Sequence, residues 1–180
     1  MRILKEQTAA LIIDIQERLY PHIAENELVL AASIKLIEGL KILSVPVIVT
    51  EQYKKGLGET LPQVSAAIEN FEGIEKTAFS CCDEPAFMSK LKSVGKQNVI
   101  ICGMETHVCV LQTCLDLLDN GYQPIVVEDA VSSRKLLDKN TAIARIRQEG
   151  AIVTSVESIL FELTRAAGSD TFKAISKLVK

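Results

Sequence analysis

Short runs of apolar, often β-branched residues alternate along this chain with longer stretches whose apolar positions recur every three or four residues. That alternation leaves few architectures open. Thr8–Asp14 (TAALIID) is a strand pattern ending in an acid, and Glu25–Ser44 places Val29, Ala32, Leu36, Leu40 and Leu43 on one helical face. Pro46 resets the chain ahead of a second strand at Val47–Thr50. A polar, glycine-bearing loop follows (EQYKKGLGET, 51–60), then a short helix near Leu61–Glu69 and a weaker strand at Gly73–Thr77. Glu84–Val94 reads as a helix whose first turn suits Pro85. Asn98–Cys102 (NVIIC) runs through Gly103 into a helix from Thr106 to Asn120, with Gly121 as its cap. Pro124–Glu128, Asn140–Gly150 and Ala151–Thr154 supply strand, helix and strand, and the chain ends in helical sequence. Strands separated by helices predict a parallel sheet covered on both faces. Right-handed crossovers narrow this to an α/β fold: a three-layer α/β/α Rossmann-like domain with a parallel β-sheet. No linker, repeat or low-complexity tract interrupts the pattern, so residues 1–180 read as one domain.

Composition removes several function classes. A hydrophobic share of 48% with 24% charged residues is that of a globular protein. The net charge of −3 gives no reason to expect nucleic acid or an anionic membrane as partner. The longest apolar runs fall far short of the roughly 20 residues of a membrane span, and Met1–Gln7 lacks the pattern of a secretory leader. Five cysteines with no CxxC read as reduced thiols, which places the chain in the cytoplasm. The histidines, His22 and His107, lie far apart, so no zinc site is expected. Neither GxGxxG nor GxxxxGK[ST] occurs, and a nucleotide-binding version of the fold loses its main support. No cofactor is expected.

Parallel sheets bind ligands beyond the carboxyl ends of their strands. Those ends offer Asp14, Gln16 and Glu17; Thr50, Glu51, Gln52 and Tyr53; Lys76, Thr77, Phe79, Cys81 and Cys82; Gly103, Glu105, Thr106, His107 and Cys109; and Glu128, Asp129 and Ser132. An acid, a lysine and a cysteine at three strand ends stand out. A cysteine opening a helix feels the positive end of the helix dipole, which favours the thiolate. A carboxylate beside it can take its proton, and an ammonium can hold both anions. The other thiols have plainer readings. Cys102 lies in an apolar strand, and Cys114, five residues past Cys109, sits roughly 140° round the helix, so both read as core. Adjacent Cys81 and Cys82 bridge only with strain and read as loop thiols. His107, two residues from Cys109, points to another face.

Three segments, LIIDIQ (11–16), IEKTAFS (74–80) and GMETHVCV (103–110), closely resemble the signatures of the isochorismatase-like cysteine hydrolases, in order and spacing, over Ala9 to about Leu163. TEQY (50–53) with KGLG (55–58) looks most like the isochorismatase domain-containing subgroup. The resemblance implies a catalytic triad of Asp14, Lys76 and Cys109. It also implies an oxyanion hole from the backbone N–H groups of Glu105 and Cys109, with a cis peptide at Met104–Glu105. Gln16, Gln52, Tyr53 and Phe79 become candidate substrate contacts, and a homo-oligomer acting on a small molecule is expected. Isochorismatases that cleave an enol ether lack the nucleophilic cysteine present here. Nicotinamidases carry an Asp-x-His metal motif where this chain reads EQYKKGLGET. The expectation is a metal-independent cysteine hydrolase acting on a small amide or related carbonyl compound through a thioester. Two competing readings remain: an idle oligomer serving as a binding or scaffold protein, and a thiol-redox protein using Cys81, Cys82 or Cys109.

Overall fold

The computed structural model describes residues 2–180. Six strands form one parallel sheet: β1 (Thr8–Ile13), β2 (Val47–Gln52), β3 (Gly73–Lys76), β4 (Asn98–Met104), β5 (Gln123–Ser132) and β6 (Ile152–Thr154). Their order is β3-β2-β1-β4-β5-β6. All six residues of β1 are buried, and alternate ones feed different cores because side chains along a strand point to opposite faces. Ala10 and Ile12 join Ile100, Cys102, Ile125 and Val127 on one face. That face is covered by α1 (Asn26–Ile42), α7 (Val156–Thr164) and α8 (Asp170–Val179), through Leu36, Leu40, Ile159, Leu160 and Ile175. Leu11 and Ile13 join Val99, Ile101 and Val126 on the other face, under α4 (Pro85–Val94), α5 (Leu111–Asp119) and α6 (Leu136–Gln148). The result is the three-layer α/β/α Rossmann-like arrangement with a parallel β-sheet that the alternation implies.

Strand order reverses between β1 and β4, where crossovers leave toward opposite faces, and the carboxyl edge at such a point is where open parallel sheets bind ligands. The two strands meet in close register, from Thr8↔Asn98 to Ile13↔Gly103. At the last pair only glycine fits. Gly103 has φ +133°, and a Cβ there would lie 2.0 Å from the Ile13 carbonyl oxygen.

The structure departs from the sequence reading at four places. The 51–60 loop contains a helical turn, α2 (Lys54–Leu57), ahead of α3 (Pro62–Ala67). Strand β5 continues past Glu128 to Ser132, because its partner register jumps from Ile101↔Val126 to Gly103↔Val131. Glu128 and Asp129 sit in that irregular stretch with employment of their own: Glu128 bonds Arg147 at 2.6 Å, and Asp129 accepts the Val156 N–H at 2.9 Å. Helix α6 begins at Leu136, four residues before the expected Asn140. Finally, the helix after β4 opens with a π-helical turn, Thr106–Val110, before α5 begins.

Candidate active site

Asp14 is the first residue beyond β1. It adopts φ +53°, a left-handed conformation that aspartate tolerates better than most residues, and it is fully buried. Its two carboxylate oxygens are separately held: Oδ1 accepts the Thr50 hydroxyl at 2.8 Å and Oδ2 accepts the Lys76 ammonium at 2.8 Å. Lys76, the last residue of β3, reaches across β2 to make that bond and is itself 1% exposed. The ammonium also donates to Gln52 Oε1 at 2.6 Å and approaches the carbonyls of Phe79 and Ala78 at 3.1 and 3.3 Å. A buried ammonium thus finds acceptors on every side, which a buried charge requires.

Cys109, in the π turn after β4, stands beside this pair at 6% exposure. It lies near enough for the Asp14 carboxylate and the Lys76 ammonium both to act on its thiol. The structure therefore brings Asp14, Lys76 and Cys109 together from three strand ends. Burial pushes the Asp14 carboxyl above the ordinary carboxylate range, against the opposing pull of Lys76 and Thr50. Burial is the largest single influence and would lower Lys76, yet the charge of Asp14, its hydrogen bond and the smaller contributions of neighbouring groups together outweigh it, and the ammonium is held above the usual lysine value. The Cys109 thiol is raised, first by burial and then by the negative charge of Asp14, with Lys76 only partly offsetting. Burial and the Asp14 charge together keep the resting thiol neutral.

The remaining candidates divide. The Met104–Glu105 peptide is cis, and Glu105 stands between β4 and the π turn with its carboxylate bonded to Arg134 Nε at 2.5 Å. Its other carboxylate oxygen is buried without a hydrogen bond, 3.3 Å from His107 Nδ1. Gln16 is fully buried and its amide is spent within the protein. Its Oε1 accepts the Gln52 N–H at 2.7 Å, while Nε2 donates to the carbonyls of Gln52 and Gly58 at 3.0 and 2.7 Å. Gln52 in turn bonds Lys76 and the Thr77 carbonyl. These two glutamines brace the site through bonds within the protein. Tyr53 and Phe79 are 51% and 55% exposed and flank Lys76 through their backbones. They remain open to a ligand.

Two features escaped the sequence. Thr50 appears there only as one of several strand-end residues, although its hydroxyl fixes the second Asp14 oxygen; a hydroxyl at the end of the strand beside the acid is the available clue. Cys81 is no loop thiol. It is fully buried, its N–H bonded to Thr113 Oγ1 at 3.0 Å and its sulfur 3.7 Å from Thr50 Oγ1, and burial raises it to about 12. Cys102 and Cys114 are buried as expected. Among the described residues no group of three or more His, Cys, Asp or Glu side chains could hold a metal ion.

Residues 8–158 match the model of the isochorismatase domain. The chain belongs to the isochorismatase family. It is 39% identical to isochorismatase domain-containing protein 2A of Mus musculus, over 99% of this chain and 85% of that protein. Among solved structures it resembles the MAR1 ribonuclease of Caenorhabditis elegans at 41% identity and a TM-score of 0.93, covering 99% and 92% of the two chains. The YcaC gene product of Escherichia coli, described as an octameric hydrolase of unknown specificity, shares the fold at 24% identity and a TM-score of 0.92, covering 99% and 90%.

Proposed function

We propose that residues 1–180 form one hydrolase domain that cleaves a small amide or related carbonyl compound through a thioester on Cys109, without a metal. The observation that carries this reading is the buried Asp14–Lys76 pair, bonded at 2.8 Å, with a neutral thiol beside it. As the sulfur bonds to the substrate carbonyl carbon, its proton passes to Asp14, whose raised affinity for a proton suits that step. The carbonyl π electrons move onto oxygen, which the N–H groups of Glu105 and Cys109 receive. Such a donor contributes roughly 3–4 kcal/mol where one has been removed elsewhere. Collapse of the tetrahedral species breaks the C–N bond, and Asp14 returns its proton to the leaving amine. Water, deprotonated by Asp14, then attacks the thioester and restores the thiol. Lys76 stays charged throughout and keeps carboxylate and developing thiolate from repelling one another.

A second reading is ribonuclease activity, favoured by the 41% identity to a protein of that name. The net charge of −3 counts against a polyanionic substrate. The idle-scaffold reading has no observation in its favour. We further propose that the protein acts in the cytoplasm, where five free thiols suit a reducing medium, and that it assembles as a homo-oligomer. The test of function is a panel of amides, N-carbamoyl compounds and a short single-stranded RNA offered to the wild type, Cys109→Ala and Asp14→Asn. Turnover of a small carbonyl compound, lost in both variants, is expected. RNA cleavage that survives Cys109→Ala would overturn the proposal.

A further inference from the structure

Beside the proposed reaction centre, at the same carboxyl edge of the sheet, lies an open cavity of about 650 Å³, a volume that suits a small ligand. Arg18 and Leu19 reach it from the segment after β1, Leu57 from α2, Glu105 from the end of β4, and Arg134 from just beyond β5. Glu105 is thus shared: its N–H belongs to the proposed oxyanion hole and its residue lines the cavity. Arg18 Nη1 donates to the carbonyls of Lys55 and Gly56 at 3.2 and 3.1 Å. Arg134 is held through Nε by Glu105. Each guanidinium is therefore fixed by one side of its fork. Among the described residues the other N–H groups of both forks, including Arg18 Nη2 and both Nη atoms of Arg134, have no acceptor. Of the charges lining the cavity, Glu105 offsets one arginine, and the other is left over.

We propose that this cavity receives a carboxylate on the substrate, held by Arg18 and Arg134, so that the preferred substrate is an amide carrying a carboxylate a few bonds from the scissile carbonyl. The inference rests on the hydrolase reading for the word substrate, but the binding site stands without it. A guanidinium fork matches a carboxylate in two parallel hydrogen bonds. Forks already fixed by the protein lose little side-chain freedom on binding, which strengthens the contact. Leu19 and Leu57 supply the apolar wall along which a short methylene chain can lie.

The test is a binding measurement, so turnover is not needed to decide it. Glutaramate and glutaramide differ only in carrying a carboxylate or a second amide. Calorimetric or ligand-observed NMR titration of the full chain should show glutaramate binding about tenfold or more tighter than glutaramide, a ratio expected of charge-assisted pairing. Arg18→Gln and Arg134→Gln should each bring that ratio below about threefold, and Arg18→Lys should fall between, because it keeps the charge and loses the fork. Thermal melts of each variant separate lost binding from lost folding. Equal affinities in the wild type, no detectable glutaramate binding, or a preference that survives both folded arginine variants would overturn the site. Loss of turnover with Cys109→Ala bears on the reaction alone.

Discussion

A buried lysine bonded to a buried aspartate makes each residue's protonation depend on the other, and this can be tested apart from catalysis. Lys76→Met removes the charged partner of a fully buried carboxylate and leaves the Thr50 hydroxyl, at 2.8 Å, as its shortest remaining hydrogen bond. Breaking a buried pair from one side costs about 3–5 kcal/mol. The sign of the pH dependence follows from Asp14, whose carboxyl is already raised by burial when folded. A group raised in the folded state binds its proton more readily there, so stability is lost as pH rises through the folded value and is fully present below the unfolded one. Removing the ammonium raises Asp14 further and widens that window upward. Urea unfolding should show the Lys76→Met deficit at about pH 8 shrinking toward about pH 5, as the stranded carboxylate takes up a proton. A deficit equal at both values would mean that Lys76 stabilises by packing alone. The residue types of the site, an acid, a lysine and a cysteine, were legible in the sequence because each follows a strand pattern. Their mutual distances, and the inward use of Gln16 and Gln52, were not, since those depend on β1, β2 and β3 lying side by side.

Whole elements carry the geometry that single residues exploit. The carboxyl ends of β1 and β4 lie close enough for Asp14 and Cys109 to meet only because Gly103 lets the two backbones approach. Gly103→Ala would set a methyl group against the Ile13 carbonyl in a backbone conformation that side chains rarely adopt. Chemical denaturation should register a loss above about 4 kcal/mol, or the variant should fail to fold. A variant within about 1 kcal/mol of the wild type would show that the strands can part without consequence. The elements least legible in the sequence are those in which charge interrupts apolar patterning. Glu128 and Asp129 end the visible β5 run, although the strand goes on, because a register shift gives both side chains partners elsewhere. The π turn Thr106–Val110 reads as ordinary helix, since hydrophobic periodicity over five residues does not distinguish the two.

For the whole molecule, the parallel three-layer plan was legible from alternation alone, whereas the strand order was not, because periodicity records which segments are strands and not which are neighbours. Several large apolar residues remain exposed, among them Leu28 at 69% and Leu137 at 74%, with Phe79 at 55% on the rim of the site. Such residues are ready material for contacts between copies, and light scattering coupled to gel filtration should return a mass that is a multiple of one chain. A monomer at micromolar concentration would remove the homo-oligomer from the proposal. In the proposed reaction Cys109 attacks carbon with Asp14 as its base, and the covalent intermediate this requires can be weighed. The protein is mixed with the amide it hydrolyses, quenched in acid within the turnover time, digested, and its cysteine peptides weighed. An acyl mass is expected on the Cys109 peptide of the wild type, absent from Asp14→Asn and from Cys109→Ala; an acyl group on Cys81 or Cys82, or undiminished turnover by Cys109→Ala, would rule the proposed reaction out.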